Sequence, residues 1–138
     1  MTAEIQVEQL LQAAKAAREQ AYAPYSGYKV GAALQTKNGI FAACNVENAS
    51  YGGTICAERA AVCAAVAWGE REFLALAVVT DGPEPGPPCG LCRQVLAEFA
   101  ADLPIYLGNL AGKVVELNLA TLFPAAFGSG FLEGKKNG

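Results

Sequence analysis

The chain has 138 residues, a length that suits a single domain over residues 1–138, because domains usually run to about 100–200 residues. Hydrophobic residues form 53% of the sequence, which supplies enough apolar surface for a packed core and excludes an intrinsically disordered chain. The net charge of −3 argues against a nucleic-acid partner, since such partners are bound largely through Lys and Arg.

Hydrophobic periodicity predicts the order helix, two strands, helix, strand, helix, two strands, helix. Pro24 ends the first helical pattern, and Asn38-Gly39 is a strong hairpin-turn signal between the first two strands. Thr54 is the predicted N-cap of the second helix. In chain order we expect the elements over about 4–22, 30–36, 40–44, 55–68, 73–79, 89–100, 105–107, 114–117 and 118–123.

The continuous apolar run 73–79 predicts a strand that is covered on both faces, as in sheets with crossover helices. The loop after it, residues 81–88, contains four prolines and is expected to be stiff. We expect the tail beyond Phe127 to be frayed.

No apolar stretch approaches the roughly 20 residues that span a bilayer, which argues against a membrane partner. Glu4 and Glu8 stand where a signal peptide would be basic, so we expect a cytoplasmic protein. Charged residues are 17% of the chain, against about 25% in a typical soluble domain. Part of the surface is therefore expected to be covered by copies of the same chain.

The sequence has no histidine, which excludes Ser-His-Asp and Cys-His nucleophile systems and every metal site that needs imidazole. Any catalytic metal must be held by sulfur or carboxylate. Five cysteines, an odd number in a chain without an export signal, favour metal binding or catalysis over a disulfide framework. Cys63, seven residues after Cys56 on the same predicted helix face, and Cys44, at a strand end, are expected to be small buried core residues.

Cys89 and Cys92 lie three residues apart at a predicted helix start, where they share a face and where the helix dipole favours thiolate. Alone, this spacing also fits a redox pair or two buried cysteines. Cys56 and Glu58 lie at the start of another predicted helix and can converge only in its first turn. If the two helix starts meet, they supply three sulfurs beside one acid, the pattern of a catalytic zinc with an open fourth position.

C-x-E followed by P-C-x-x-C is the zinc-deaminase signature. With these motifs and four further segments, the chain resembles the small homotetrameric cytidine deaminases from about residue 21 to residue 127. The resemblance implies a three-layer α/β/α fold around a five-stranded mixed sheet. The further matching segments are residues 23–26, 30–34, 44–52 and 93–96.

The resemblance implies hydrolysis of cytidine and deoxycytidine to uridine and deoxyuridine, in pyrimidine salvage, by a homotetramer with one zinc ion per chain. Cys56, Cys89 and Cys92 are the implied metal ligands. Zinc lowers the pKa of water towards about 7. Glu58 would then move the proton from water to the ring nitrogen and to the departing amine. The simpler alternative for Glu58 is a solvated helix residue.

Zinc and three thiolates sum to one negative charge, which the two helix dipoles and Arg59 would offset. By resemblance, Arg59 donates hydrogen bonds to the sulfurs of Cys56 and Cys89. The alternative for Arg59 is a surface ion pair.

Further positions are implied to bind substrate. Asn45 and Glu47 would contact the ribose, although turn chemistry is an alternative for this loop. By resemblance, the Ala57 backbone binds the pyrimidine carbonyl, and Phe127 packs over the base or anchors the tail. The loop with Ala49 and Tyr51 is implied to reach a neighbouring subunit's site.

Tyr28 departs from the family, in which many members have Phe against the substrate, so its hydroxyl needs a partner or water. Three other functions remain open. A deaminase of a blasticidin-type antibiotic would share the zinc site but need not share Asn45 and Glu47. A non-catalytic zinc module would more naturally have four ligands, and a polynucleotide editor would need a basic groove.

Overall fold

The computed structural model describes residues 4–135. The strands are β1 (Gly31–Thr36), β2 (Gly39–Cys44), β3 (Phe73–Thr80), β4 (Pro104–Asn109) and β5 (Val114–Asn118). The helices are α1 (Val7–Arg18), α2 (Ala57–Ala67), α3 (Gly90–Phe99) and α4 (Leu119–Leu122), with 3₁₀ helices at Tyr51–Gly53 and Ser129–Lys135. Every helix within this part of the chain is too short or too polar to span a bilayer.

The strands form one mixed sheet in the order β2-β1-β3-β4-β5. The β3–β4 pair is parallel and the other three pairs are antiparallel, which confirms the predicted five-stranded mixed sheet. The predicted hairpin is present, with Thr36 paired to Gly39 across a two-residue loop. Gly39 therefore belongs to β2 rather than to the turn itself.

Helices cover both faces of the sheet, as predicted for β3. Ala75 and Ala77 of β3 pack with Leu10 and Ala14 of α1 on one face. The alternate residues Leu76 and Val78 pack on the other face, in the cluster that contains residues of α2 and α3. This alternation follows from the two-residue period of a strand and gives the three α/β/α layers.

Helix α1 lies unusually close to β1. A Cβ atom placed on Gly31 would lie 1.8 Å from the backbone oxygen of Ala14, so only glycine fits there. Arg18, at the end of α1, is buried and donates from Nε to the Lys29 oxygen at 3.1 Å. The end of α1 is thus attached to the residues that enter β1.

Two predicted helix boundaries are wrong. Helix α1 ends at Arg18 and not near residue 22, because Tyr22 leaves the helix to exchange backbone hydrogen bonds with Asn45 and Glu47. Helix α2 begins at Ala57, with Cys56 and not Thr54 at its N-cap. The described part of the tail beyond Phe127 contains the 3₁₀ helix Ser129–Lys135, and its fraying stays a prediction.

Candidate active site

Two helix starts bring three cysteines together at one end of the sheet. Cys56 is the N-cap of α2, Cys89 is the N-cap of α3, and Cys92 lies in the first turn of α3. Their sulfur atoms all lie within 4.8 Å of one another, and the sulfurs of Cys56 and Cys89 are 3.7 Å apart. Cys92 is buried, whereas Cys89 is exposed. The cluster therefore has one protected side and one open side.

The spacing of these sulfurs fits zinc. Zn–S bonds of about 2.3 Å in tetrahedral geometry place neighbouring sulfurs about 3.8 Å apart. The observed distance of 3.7 Å between the sulfurs of Cys56 and Cys89 agrees with that value, so these two side chains need not move to bind the ion. Hydrogen bonds from Cys92, then from Arg59 and Cys89, hold the pKa of the Cys56 thiol well below its usual range. Cys56 therefore favours the thiolate form that binds metal, whereas its hydrogen bond with Cys92, together with burial, raises the pKa of the Cys92 thiol, whose proton a bound metal would displace.

Arg59 supplies positive charge beside the sulfurs. Its Nη2 atom donates to Cys56 Sγ at 3.5 Å and to the Thr54 oxygen at 3.1 Å. The hydrogen bonds of the described residues do not include the one from Arg59 to Cys89 that the resemblance implies. Among residues 4–135, Arg59 Nε is buried without a hydrogen-bond partner. A guanidinium in this state is best accommodated next to negative sulfur, which also fits a metal held by thiolates.

Glu58 lies in the first turn of α2, beside Cys56, and is only 5% exposed. Burial raises the pKa of its carboxyl to about 7, and the negative charge on Cys56 adds to this effect. A carboxyl group whose pKa lies near neutrality can both accept and donate a proton at pH 7. This position suits general acid–base work rather than the solvated helix surface considered above.

A cavity of about 280 Å³ opens beside these groups. Of the predicted site residues, Tyr28, Asn45, Glu47 and Ala57 line it with Cys56, Glu58 and Cys89. Its other lining residues are Ser26, Val30, Thr54, Val78, Thr80, Gly86 and Pro87.

Asn45 and Glu47 are both buried, and both are hydrogen-bonded within the chain. The Asn45 side chain accepts from the Val30 N–H at 2.9 Å and donates to the Tyr28 oxygen at 2.8 Å. These bonds fix the backbone on either side of the cavity. They leave one N–H of the Asn45 amide for another partner.

Glu47 Oε1 accepts from the N–H groups of Tyr25 and Ser26 at 2.9 and 3.1 Å, and Oε2 accepts from the Ser26 hydroxyl. These bonds, with that of the hydroxyl first, hold the pKa of Glu47 below its ordinary value. Oε2 has further lone-pair capacity, so the carboxylate supports the turn and can still accept from a ligand.

Tyr28 lines the cavity next to Gly86. A Cβ atom on Gly86 would lie 2.8 Å from the Tyr28 hydroxyl oxygen, so the two residues are in close contact. Ala57 is fully buried and is the first residue of α2, where helical N–H groups have no acceptor within the helix.

Three of the predicted substrate-binding residues lie outside the lining of this cavity. Ala49 and Tyr51 are exposed, and the Tyr51 side chain is 73% accessible. Phe127 is also exposed, and its ring stacks on that of Phe131 with ring centroids 5.6 Å apart. The Gln94 side chain donates to the Phe127 oxygen and so attaches the tail to α3. The single chain therefore does not bring these three residues to the cysteine cluster.

Two residues that line the cavity were not predicted as site residues. The Ser26 hydroxyl donates a hydrogen bond to Glu47, and the Thr54 oxygen accepts one from Arg59. Ser26 lies in the matching segment 23–26, but its residue type gave no sign of a bond to Glu47. The expectation of a buried Cys63 is wrong, since it is exposed, and Cys44 is only partly buried. Cys56 caps the helix instead of belonging to it, so its seven-residue distance from Cys63 does not place the two on one face.

Comparison with known proteins gives a consistent result. The family model "Cytidine and deoxycytidylate deaminase zinc-binding region" matches residues 4–107. A cytidine deaminase of Sporosarcina psychrophila is 53% identical over 123 residues, which cover 88% of this chain and 90% of that protein. A crystal structure of cytidine deaminase from Burkholderia pseudomallei is similar with a TM-score of 0.85 and 51% identity, covering 89% of this chain and 100% of that one.

A blasticidin-S deaminase of Bacillus cereus is less similar, at 30% identity over 109 residues, which cover 72% of this chain and 77% of that protein. The matched family region contains all three clustered cysteines and Glu58. The described fold, the zinc-compatible sulfur cluster and the identity to named deaminases agree, and the chain belongs to the cytidine deaminase family.

Proposed function

We propose that this site catalyses the zinc-dependent hydrolytic deamination of cytidine to uridine, and of deoxycytidine to deoxyuridine, with release of ammonia. The observation that carries the proposal is that a cluster of three thiols, two of which line the cavity, lies beside a buried carboxyl that lines the same cavity. Cys56, Cys89 and Cys92 hold one zinc ion per chain and leave a fourth position for a reactant. A non-catalytic zinc module would not need the carboxyl of Glu58 at this place.

Glu58 performs the proton transfers of the reaction. Zinc, when bound, supplies the Lewis acidity that makes water a nucleophile at neutral pH. The Glu58 carboxylate accepts one proton as water attacks the ring carbon and gives it to the ring nitrogen. It then accepts the second proton, from the hydroxyl added to the ring carbon, and gives it to the departing amine as the carbon–nitrogen bond breaks. Its burial and its raised pKa support this assignment, because the group can release the proton that it has taken up. Arg59 offsets the charge of the thiolates.

The substrate is a nucleoside rather than a free base. Asn45 and Glu47 present an amide and a carboxylate to the cavity, and ribose hydroxyls are suitable partners for both. The first N–H groups of α2, including that of Ala57, can donate to a pyrimidine carbonyl. Tyr28 supplies an aromatic wall.

The test is to incubate the purified chain with cytidine and to follow its conversion to uridine with and without a chelator. We expect chelation to abolish turnover and added zinc to restore it. Glu58→Gln should retain one zinc per chain and lower kcat by about 10²- to 10⁴-fold, because it removes proton transfer but no ligand. Cys56→Ala should instead lose the metal, and Cys63→Ala, at an exposed cysteine outside the cluster, should keep it.

Retention of near-normal turnover by Glu58→Gln would refute its assigned role. Turnover of a blasticidin-type antibiotic without turnover of cytidine would leave the zinc chemistry in place and change the substrate.

The active form is a homotetramer with composite sites, in which the loop of Ala49 and Tyr51 reaches a neighbouring subunit and Phe127 packs over the base. The exposure of these three residues in the single chain supports this arrangement, since each is free to contact another subunit or a ligand. The single sheet with its two cores supports one domain over residues 1–138. Five free cysteines support a cytoplasmic location, where thiols stay reduced.

A further inference from the structure

The proline-rich loop that delivers Cys89 depends on donors from outside the loop. Residues 81–88 include prolines 83, 85, 87 and 88, and Cys89 follows directly. Proline has no N–H group, so half of these eight residues can form backbone hydrogen bonds only through their carbonyl oxygens. Pro88, the residue before the metal ligand, is buried.

Arg93 donates to the carbonyl next to the ligand. Its Nε atom donates to the Pro88 oxygen at 2.8 Å, and its Nη1 atom donates to the Leu122 oxygen at 2.6 Å. Arg93 lies one turn after Cys89 in α3, and its own N–H bonds to the Cys89 oxygen at 3.0 Å. The side chain therefore turns back to the start of its own helix and joins it to the end of α4.

This contact controls the orientation of Cys89. The peptide unit between Pro88 and Cys89 is planar, so a bond that fixes the Pro88 oxygen also fixes the Cys89 nitrogen and Cα. Once this plane is fixed, rotation about φ of Cys89 is the only backbone freedom that changes the direction of its Cα–Cβ bond. We propose that Arg93 is a positioning residue of the metal site, which holds the Cys89 sulfur where zinc needs it by bridging the Pro88 and Leu122 carbonyls.

The other anchors of the loop lie farther from the ligand. Asn109 Nδ2 donates to the oxygens of Gly82 and Pro83 at 3.2 and 3.1 Å. Thr80 Oγ1 accepts from the Gly86 N–H at 3.1 Å. These bonds hold the beginning and the middle of the loop, so Arg93 alone among them acts on the peptide that precedes Cys89.

The experiment measures zinc release from the full-length, zinc-loaded chain into a chromophoric chelator. Arg93→Met keeps the aliphatic stem and removes both hydrogen bonds, and we expect zinc release about 10- to 100-fold faster than in the wild type. Arg93→Lys keeps one donor but cannot span both carbonyls, so its release rate should lie between the two. At saturating zinc, kcat should fall more than KM rises, because the substrate contacts are unchanged.

Arg71→Met is the matched control. Arg71 Nη1 also bridges two backbone oxygens, those of Val66 and Glu70 at 3.1 and 2.8 Å, but it lies beyond the far end of α2. Both arginine-to-methionine variants lose a charge and two carbonyl contacts. A merely structural contribution of Arg93 would lower the free energy of unfolding, as for Arg71, without changing zinc release.

Equal zinc release from Arg93→Met and Arg71→Met would overturn the inference. If Arg93→Met does not fold, Arg93→Lys decides, and zinc release from it that is no faster than from Arg71→Met would likewise overturn the inference. The inference rests on the proposed assignment of Cys89 as a ligand. If Cys89→Ala keeps its zinc, the proposed function fails. If Cys89→Ala loses zinc and Arg93→Met does not differ from Arg71→Met, only the positioning inference fails.

Discussion

Glu47 combines support of a turn with a position in the cavity wall, and the two contributions can be separated by experiment. Its carboxylate accepts three hydrogen bonds from Tyr25 and Ser26 while it lines the cavity. A hydrogen bond from a ribose hydroxyl to this charged group is worth about 1.5–3 kcal/mol. Binding energy from such a remote group can be used to stabilise the transition state at the ring carbon.

We therefore expect Glu47→Ala to lower kcat/KM for cytidine by about one to two orders of magnitude and scarcely to affect the weak turnover of free cytosine. Steady-state kinetics with both substrates measure this difference. Ser26→Ala is the control for the turn, because it removes one bond to Glu47 and keeps the carboxylate. Equal slowing of both substrates by Glu47→Ala, matched by Ser26→Ala, would mean that the residue only supports the loop.

Some of the candidate site could be predicted from residue types and some could not. Cys56, Cys89 and Cys92 were predictable because thiols at helix starts have a local signal and a restricted chemistry. The bond between Ser26 and Glu47 was not, because it joins residues 21 positions apart through a turn that periodicity does not describe. Cys63 was wrongly predicted to be buried because the prediction placed it on one helix face with Cys56. Cys56 is the N-cap of α2 and lies outside the regular helix, so that spacing does not apply.

The close approach of α1 to β1 makes Gly31 the most restrictive position between these elements. Gly31→Ala would place a methyl group 1.8 Å from the Ala14 oxygen, so α1 must move away from the sheet. We expect a loss of about 1–3 kcal/mol or more in the free energy of unfolding, as for other overpacked cores. Urea denaturation measures it.

Gly39→Ala in the neighbouring strand is the matched control, because the nearest atom to its added Cβ would lie 3.9 Å away. The control should lose clearly less stability. Equal stability of Gly31→Ala and the wild type would show that α1 can shift at no cost.

Glu70 connects the end of α2 to the β1–β2 hairpin through a buried carboxylate. It accepts from the Thr36 hydroxyl and from the side-chain and backbone N–H groups of Asn38 at 3.1 and 3.2 Å. These bonds, that of Thr36 first, hold the pKa of Glu70 below its ordinary value. The carboxylate thus stabilises the folded chain above the unfolded-state pKa of about 4.3, and this contribution is lost as pH falls through the lower folded-state pKa.

We expect Glu70→Gln to destabilise the chain at pH 7 and to differ less from the wild type as the pH falls below about 4. Urea unfolding of both proteins at several pH values tests this, and the comparison removes any effect of acid on the metal site. Glu72→Gln, at a neighbouring exposed glutamate, should show no such convergence. A wild-type advantage that persists unchanged in acid would contradict the assignment.

Element prediction succeeded where local pattern and tertiary packing agree. The apolar run of β3 was predictable because both of its faces are buried, and the observed β3 extends it by one residue to Thr80. The end of α1 was not predictable, because the helical pattern continues to Ala21 while backbone bonds to Asn45 and Glu47 draw Tyr22 out of the helix. A distant segment thus overrides local periodicity.

The proposed tetramer predicts both the mass of the assembly and the sharing of each site between two subunits. Sedimentation should show a species of about four times 14.3 kDa. The Glu58→Gln and Tyr51→Ala variants should each have low deaminase activity when assembled alone. Mixed assemblies should regain activity, because a site can take Glu58 from one subunit and Tyr51 from its neighbour. Full activity of a dilute monomer, or no recovery on mixing, would refute composite sites.

Hydrophobic periodicity predicts individual strands but neither their order in the sheet nor the assembly of subunits. Pairing of β1 with β3 joins Leu34 to Leu76 across an intervening helix, and the pattern of either strand is compatible with other neighbours. The resemblance, not the periodicity, implied the mixed sheet. The low charged fraction indicated contact between copies but did not identify the surface.

The positions of the ligands along the chain have a consequence for folding. Cys56 and Cys89 are 33 residues apart in sequence, and the whole of β3 lies between them. An ion that joins them closes a long loop, which for a permanent crosslink of that length restricts the unfolded chain by about 3–4 kcal/mol. Metal binding by residues assembled only in the native fold is also folding free energy. Zinc held by these cysteines would therefore act as a reversible crosslink, and its removal would lower the free energy of unfolding as well as the activity.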